Sequence, residues 1–132
     1  MIQNITYKNK TLAIIIKSNY IKKKGVNFFT NNRMIQQVAY MNHSKNTLIQ
    51  PHLHKKIKRK ITGTSEVLII LNGKMKIDFY NQKKKYLFSK FASKNDIIIL
   101  VSGGHGFKML ENCKFIEVKQ GPFFSKKDKT KF

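Results

Sequence analysis

The chain has little that would crosslink it or anchor it in a bilayer. Its single cysteine, Cys113, excludes an internal disulfide and favours a reducing cytoplasm. No apolar run approaches the ~20 residues of a membrane-spanning helix, so no membrane association is expected. The N-terminus shows no signal peptide pattern, because the apolar run 11–16 is too short, and export is not expected. At 132 residues we expect a single domain, 1–132, that buries a core without crosslinks.

Acidic residues and arginine are also scarce. Six acidic residues stand against 27 basic ones, which gives a net charge of +21. Such a charge attracts nucleic acid, anionic lipid or a phosphorylated ligand. Only Arg33 and Arg59 can make the bidentate phosphate and base contacts of arginine, which argues against nucleic acid. Lysine, isoleucine and asparagine, here 25, 17 and 12 residues, all have A/T-rich codons, so a biased genome also explains the charge. A small anionic ligand is the functional alternative.

The hydrophobic pattern predicts β structure throughout. Residues 66–71 and 96–101 form apolar runs typical of strands buried on both faces. Asn72-Gly73 predicts a two-residue hairpin, and the strand after it alternates, with Met75, Ile77 and Phe79 on one face. Further strands are predicted at 11–16, 35–41, 47–50, 86–88, 107–110 and 114–118. The regular turn spacing predicts an all-β, antiparallel barrel or sandwich, with a lysine-rich surface tail at 125–132.

Three histidines and one glutamate are the candidates for chemistry. In an extended strand His52 and His54 point to the same face, where two imidazoles can bind one metal ion; two solvated histidines are the alternative. Glu66 begins a buried strand, and a carboxylate there needs a cation or hydrogen bonds, unless it lies in water at the strand end. His105 lies in a glycine-rich turn that can bring its ring close to a ligand or leave it unused. His43, in a polar loop, is interpreted as a surface residue.

These residues resemble the two motifs of the cupins. His52-Leu53-His54, with Glu66, six residues and Gly73, is similar to the first motif. Asn95-Asp96, an apolar strand and Ser102-Gly103-Gly104-His105 are similar to the second, with Asn95 in place of a glycine because asparagine tolerates the left-handed turn. The resemblance covers about residues 35–120. It is closest to small single-domain cupins of bacterial surface-polysaccharide gene clusters, and extends to residues 118–122 and Asp128-Lys129.

The resemblance implies a jelly-roll barrel, or double-stranded β-helix, that holds one divalent metal ion on His52, His54, Glu66 and His105. Three imidazoles and a carboxylate suit Mn, Fe, Co, Ni or Zn. Candidate substrate-binding residues, named from their positions, are Gln50, Arg59, Tyr80 and Gln120.

Three functions stay open. The first is a metal-dependent isomerase, epimerase or oxygenase acting on a small, anionic sugar or metabolite. The second is a non-catalytic binding module with a structural metal. The third is a metal-free nucleotide-sugar isomerase that uses His52 or His54 as its base. Cupins commonly pair, so a homodimer is expected. Residues 14–16 with Phe123 and Phe124 are candidates for its interface, or equally for capping the barrel.

Overall fold

The computed structural model describes residues 1–20, 23–124 and 128–132. The chain divides into two compact units: unit 1 comprises Met1–Tyr20 and Thr64–Phe132, and unit 2 comprises Ile21–Gly63. Ten strands are described: β1 (Ile2–Tyr7), β2 (Lys10–Ile16), β3 (Gly25–Phe28), β4 (Ala39–Asn42), β5 (Glu66–Asn72), β6 (Lys74–Tyr80), β7 (Tyr86–Ser93), β8 (Ile97–Leu100), β9 (Gly104–Met109) and β10 (Lys114–Lys119). The described residues contain no helix, and therefore none that could cross a membrane. The predicted all-β, antiparallel fold is confirmed.

Unit 1 contains two sheets that share one hydrophobic core. Its five-stranded sheet has the order β1-β2-β8-β5-β10, and its three-stranded sheet has the order β7-β6-β9. Leu68 and Ile70 from the first sheet cluster with Ile77 and Phe79 from the second, and all four side chains are at most 1% exposed. The predicted alternation along β6 is confirmed, since Met75, Ile77 and Phe79 are buried while the intervening residues are more exposed. Burial of such side chains is the main stabilising contribution to unit 1.

The predicted hairpin at Asn72-Gly73 is wrong. β5 and β6 are consecutive, but β5 pairs with β8 and β10, whereas β6 pairs with β7 and β9. The chain therefore crosses from one sheet to the other at Gly73. That residue has φ of 84°, which favours glycine, and a Cβ there would overlap the backbone of Asn112 and the thiol of Cys113. The pattern predicted the turn and the two strands that it joins, but not that these strands belong to different sheets.

Other strand predictions hold in part. β2, β5, β8, β9 and β10 overlap their predicted segments, and β7 begins at the predicted residue but continues to Ser93. In unit 2 the strand predicted at 35–41 is formed only from Ala39, and residues 47–50 form no strand. β1 and β3 were not predicted, since their sequences mix apolar and polar residues without a clear period. Asn95 has φ of 67°, which confirms that asparagine occupies the left-handed turn.

The terminal segments differ from expectation in one respect. Ile14, Ile15 and Ile16 are at most 4% exposed within β2, so they are not the exposed interface residues proposed from the sequence. Phe123 and Phe124 are 59% and 56% exposed and stay candidates for an interface. Of the predicted surface tail, residues 125–127 lie outside the described residues, Asp128 is half-buried and 129–132 are exposed.

Candidate functional site

Glu66 and His105 lie on inward faces of the two sheets of unit 1. Glu66 begins β5 and shares its face with Leu68 and Ile70, which are buried in the core. His105 lies on β9 directly opposite the buried Phe79 of β6, and directly opposite residues of a sheet share a face. Strand alternation therefore directs both polar side chains toward the core layer, at the strand ends where the apolar residues stop.

The two side chains are in contact. Nε2 of His105 lies 3.1 Å from Oε2 of Glu66, and the side chains are 28% and 15% exposed. The His105 ring also packs against that of Phe107, with ring centroids 5.3 Å apart. The sequence predicted that Glu66 and His105 belong to one site, and the structure brings this pair together. A hydrogen-bonded imidazole and carboxylate that remain partly accessible can bind a cation or transfer a proton.

The electrostatic surroundings favour the ionised form of Glu66. The hydrogen bond with His105 is the main cause that lowers the pKa of the Glu66 carboxyl, and partial burial opposes it. The positive charges of His105, Lys119 and Lys129 lower this pKa further. Glu66 is therefore an anion at neutral pH. The His105 imidazole and the charges of two lysines stabilise its carboxylate, in addition to solvent water.

Lys119, which the sequence did not single out, is the direct cross-strand neighbour of Glu66. The two residues pair between β10 and β5, with Leu100 of β8 opposite Glu66 on the other side. Nζ of Lys119 lies 3.7 Å from Oδ2 of Asp128 and 4.6 Å from the centroid of the Phe123 ring. The backbone N–H of Phe124 also donates to Asp128, at 3.4 Å. The resemblance extends over residues 118–122, which include Lys119, but the sequence did not indicate its pairing with Glu66, because that depends on the register of β10.

Gln120, a predicted substrate-binding residue, lies beside the pair. Its side-chain oxygen accepts a hydrogen bond of 2.6 Å from the backbone N–H of Ser65, the residue before Glu66. The Ser65 hydroxyl donates to the carbonyl of Leu100 at 2.7 Å, and Ser65 is 3% exposed. Gln120 thus helps to fix the start of β5, and with it the position of the Glu66 backbone.

Tyr80 lies on the outward face of β6. It follows Phe79 in the strand, and its ring packs against those of Tyr86 and Phe132, with centroids 5.8 and 5.1 Å away. Asp78 shares this outward face, where it contacts Lys76 at 3.1 Å and accepts a hydrogen bond from Ser89. The alternation along β6 therefore places Tyr80 on the face opposite to that of Phe79 and His105.

The remaining predicted residues belong to unit 2. His52 and His54 lie in an exposed segment without strand structure, and their ring centroids are 5.2 Å apart. A ring nitrogen of His52 lies 2.9 Å from the carbonyl oxygen of Gln50. Gln50, Arg59 and His43 are also exposed. The two histidine rings thus lie close together, but the strand that was expected to direct them to one face is not formed.

The Glu66–His105 and His52–His54 pairs offer imidazole nitrogens and a carboxylate oxygen. Such donor atoms are among the preferred ligands of a borderline divalent metal such as Zn or Fe. Protein metal sites take three or four such donors. In the parts of the chain that the structure describes, no three His, Cys, Asp or Glu side chains are grouped closely enough to hold an ion. The Glu66–His105 pair fits a metal in donor chemistry but accounts for only two ligands. Comparison with protein-family models, curated proteins and solved structures found no match.

Proposed function

We propose that this protein is a metal-binding protein of the cupin type. Glu66 and His105 supply two ligands of one divalent ion, and the protein binds or converts a small anionic metabolite, such as a sugar derivative, beside it. The observation that carries the proposal is the 3.1 Å contact between His105 Nε2 and Glu66 Oε2 on the inward face of the sheets. His52 and His54 remain the other two ligands that the sequence predicts.

Several properties of unit 1 support this proposal. Two antiparallel sheets that share a core are compatible with the cupin barrel proposed from the motifs. Burial of Leu68, Ile70 and Phe79 beneath the pair excludes water from one side of it. The ionised Glu66 can receive a cation without first losing a proton. A bound divalent ion would supply polarisation of a carbonyl or hydroxyl oxygen.

Metal analysis of the purified protein tests the proposal. We expect about one divalent ion per chain, after purification or after reconstitution with Mn, Fe, Co, Ni or Zn one at a time. Four substitutions each alter one proposed ligand: His105→Ala, Glu66→Gln, His52→Ala and His54→Ala. Loss of a residue that hydrogen-bonds to a metal ligand typically raises the metal Kd about 10- to 100-fold, and each of these substitutions should raise it by more. His43→Ala removes an exposed histidine outside the motifs and is the matched control. Wild-type metal content in both Glu66→Gln and His105→Ala would show that the pair holds no metal.

A second function follows from the same contact and needs no metal. In its neutral form His105 can donate Nε2–H to Glu66 while Nδ1 carries a lone pair, and Nδ1 can then act as a base oriented by the carboxylate. The sequence pointed to His52 or His54 for this role, whereas the observed hydrogen bond favours His105. Such a base could remove a proton next to the carbonyl of a keto sugar and return it to the neighbouring carbon, as an isomerase does.

Exchange of solvent deuterium into a keto nucleotide-sugar, followed by mass spectrometry in the presence of a chelator, distinguishes the two functions. A metal-free isomerase should catalyse the exchange with chelator present and lose it in His105→Ala. Exchange that requires added metal would exclude the metal-free function.

A further inference from the structure

Lys119 is distinguished from the other lysines by its position. In the described residues, three lysines form ion pairs with carboxylates: Lys17, Lys76 and Lys119. Lys17 pairs with the buried Asp96, and Lys76 pairs with Asp78 on the outward face of β6. Among the three, only Lys119 is the direct cross-strand partner of Glu66. Because directly opposite residues in an antiparallel pair share a face, the Lys119 side chain lies on the face of the sheet that carries Glu66.

The ion pair that Lys119 makes is loose. Its ammonium is 3.7 Å from the Asp128 carboxylate, whereas charged hydrogen bonds of this kind measure about 2.7–2.9 Å. The two side chains are 21% and 18% exposed, so water and small ions reach both. Partly exposed pairs of this kind contribute little to stability, and a competing anion can displace such a partner.

The ring of Phe123 also contacts the Lys119 ammonium. Its centroid lies 4.6 Å from Lys119 Nζ, within the range of a cation–π contact. The aromatic ring holds the ammonium in place without neutralising its charge. Lys119 is therefore a positioned cation whose one carboxylate within 4.0 Å in the described structure, that of Asp128, comes from the C-terminal segment of the chain.

We propose that Lys119 binds the anionic oxygens of the small ligand and that Asp128 occupies the same ammonium when the ligand is absent. The ligand class is a metabolite with a phosphoryl or a sugar-carboxylate group, which presents to Lys119 the same type of oxygen as Asp128. This inference rests on the proposed function, because it places the anionic part of the ligand next to the Glu66–His105 pair. To the proposed function it adds Lys119 as the residue that binds the anionic group and Asp128 as a competitor for Lys119 that weakens ligand binding.

The test measures anion binding by calorimetry in metal-free protein, with chelator present and ionic strength held constant. Inorganic phosphate and glucuronate are the two probes, and the tighter one identifies the anionic group. Lys119→Met should weaken binding of that probe at least about tenfold, since a hydrogen bond to a charged group is lost. Lys114→Met removes an exposed lysine from the same strand and should change the Kd less than about twofold. Lys119→Arg should retain most of the binding, which separates loss of the cation from loss of the fold.

Removal of the competitor gives the opposite result. Asp128→Asn should tighten binding of the probe by about two- to fivefold, which corresponds to a weak ion pair. Glu117→Gln removes an exposed carboxylate from β10 and is the control for the change in net charge. Equal effects of Lys119→Met and Lys114→Met, or weaker binding in Asp128→Asn, would overturn the proposal. Because no metal is present, the result is independent of whether the metal proposal holds.

Discussion

The carboxylate of Asp96 lies against the ammonium of Lys17, and the two side chains are 1% and 25% exposed. The backbone N–H groups of Ser18 and Ser93 donate to the same carboxylate at 2.8 and 2.9 Å. Asp96 therefore joins the end of β2, the end of β7 and the start of β8. A buried carboxylate is tolerated only when charge and hydrogen bonds offset its desolvation, and here it receives both.

Replacement of Asp96 should strongly destabilise unit 1. Asp96→Asn removes the charge but keeps the shape, and we expect a loss of about 3 kcal/mol in the free energy of unfolding. Asp78→Asn is the matched control, because Asp78 also contacts a lysine but on the outward face, and it should cost less than about 1 kcal/mol. Urea denaturation of both variants measures the difference. Equal losses would mean that Asp96 does not anchor the three strands.

The lowered pKa of Glu66 predicts a pH-dependent contribution to the stability of the metal-free protein. The cause is chiefly the hydrogen bond with His105, together with the nearby positive charges. A carboxyl with a lower pKa in the folded state stabilises the fold at pH values above its ordinary value of 4.5. This stabilisation is lost as the pH falls through the lowered pKa of the folded protein.

The measurement is the difference in unfolding free energy between wild type and Glu66→Gln, from pH 7 down to about pH 3. Wild type should be the more stable at neutral pH, and the difference should shrink at acid pH. Glu117→Gln, at an exposed position, is the control for the loss of one carboxylate charge. A difference that stays constant over this range would mean that the carboxyl titrates alike in the folded and unfolded chains.

Gly73 should tolerate no side chain. A Cβ at this position would lie 2.8 Å from Cys113 Sγ and 2.9 Å from the backbone carbon of Asn112, and φ is 84°. Gly73→Ala should therefore cost about 2–4 kcal/mol, from the left-handed backbone and the overlap together. Gly121→Ala is the control, because a Cβ there meets nothing within 4 Å and φ is not left-handed. Thermal or urea unfolding distinguishes the variants, and a stable Gly73→Ala protein would contradict the crossing geometry.

Gln120 should contribute to stability through Ser65. Gln120→Ala leaves the N–H of a residue that is 3% exposed without its partner, and we expect a loss of about 1–3 kcal/mol. Gln82→Ala, at an exposed turn position, should change stability by less than about 0.5 kcal/mol. If Gln120→Ala unfolds at the same urea concentration as wild type, water replaces the amide and Gln120 is not required to fix β5.

Much of unit 1 was predictable from local sequence. The apolar runs of β5 and β8 and the alternation of β6 are strong signals, because buried strands need them. The burial of the Asp96 carboxylate, by contrast, was not anticipated from the sequence. The resemblance to the cupin motifs implied that Glu66 and His105 share one site, and in the structure the two side chains are in contact.

Features that depend on strand partnership were not predictable. Asn72-Gly73 has the composition of a hairpin, yet the tight packing at Gly73 directs the chain into the other sheet. Lys119 resembles the other lysines in sequence, and only the register of β10 places it opposite Glu66. Local sequence reports which face a residue takes, but not which residue a distant strand will place beside it.

The position of β2 also constrains how the protein folds. β2 forms a local hairpin with β1, but its other neighbour is β8, so Ala13 pairs with Leu100. During synthesis, the inner edge of this hairpin, including the buried Ile15, stays uncovered until most of the chain has been made. Distant pairings of this kind are associated with slow folding, in the range of milliseconds to seconds. For that interval the isoleucine-rich edge is open to pairing with other chains, which is a general route to aggregation of incompletely folded protein.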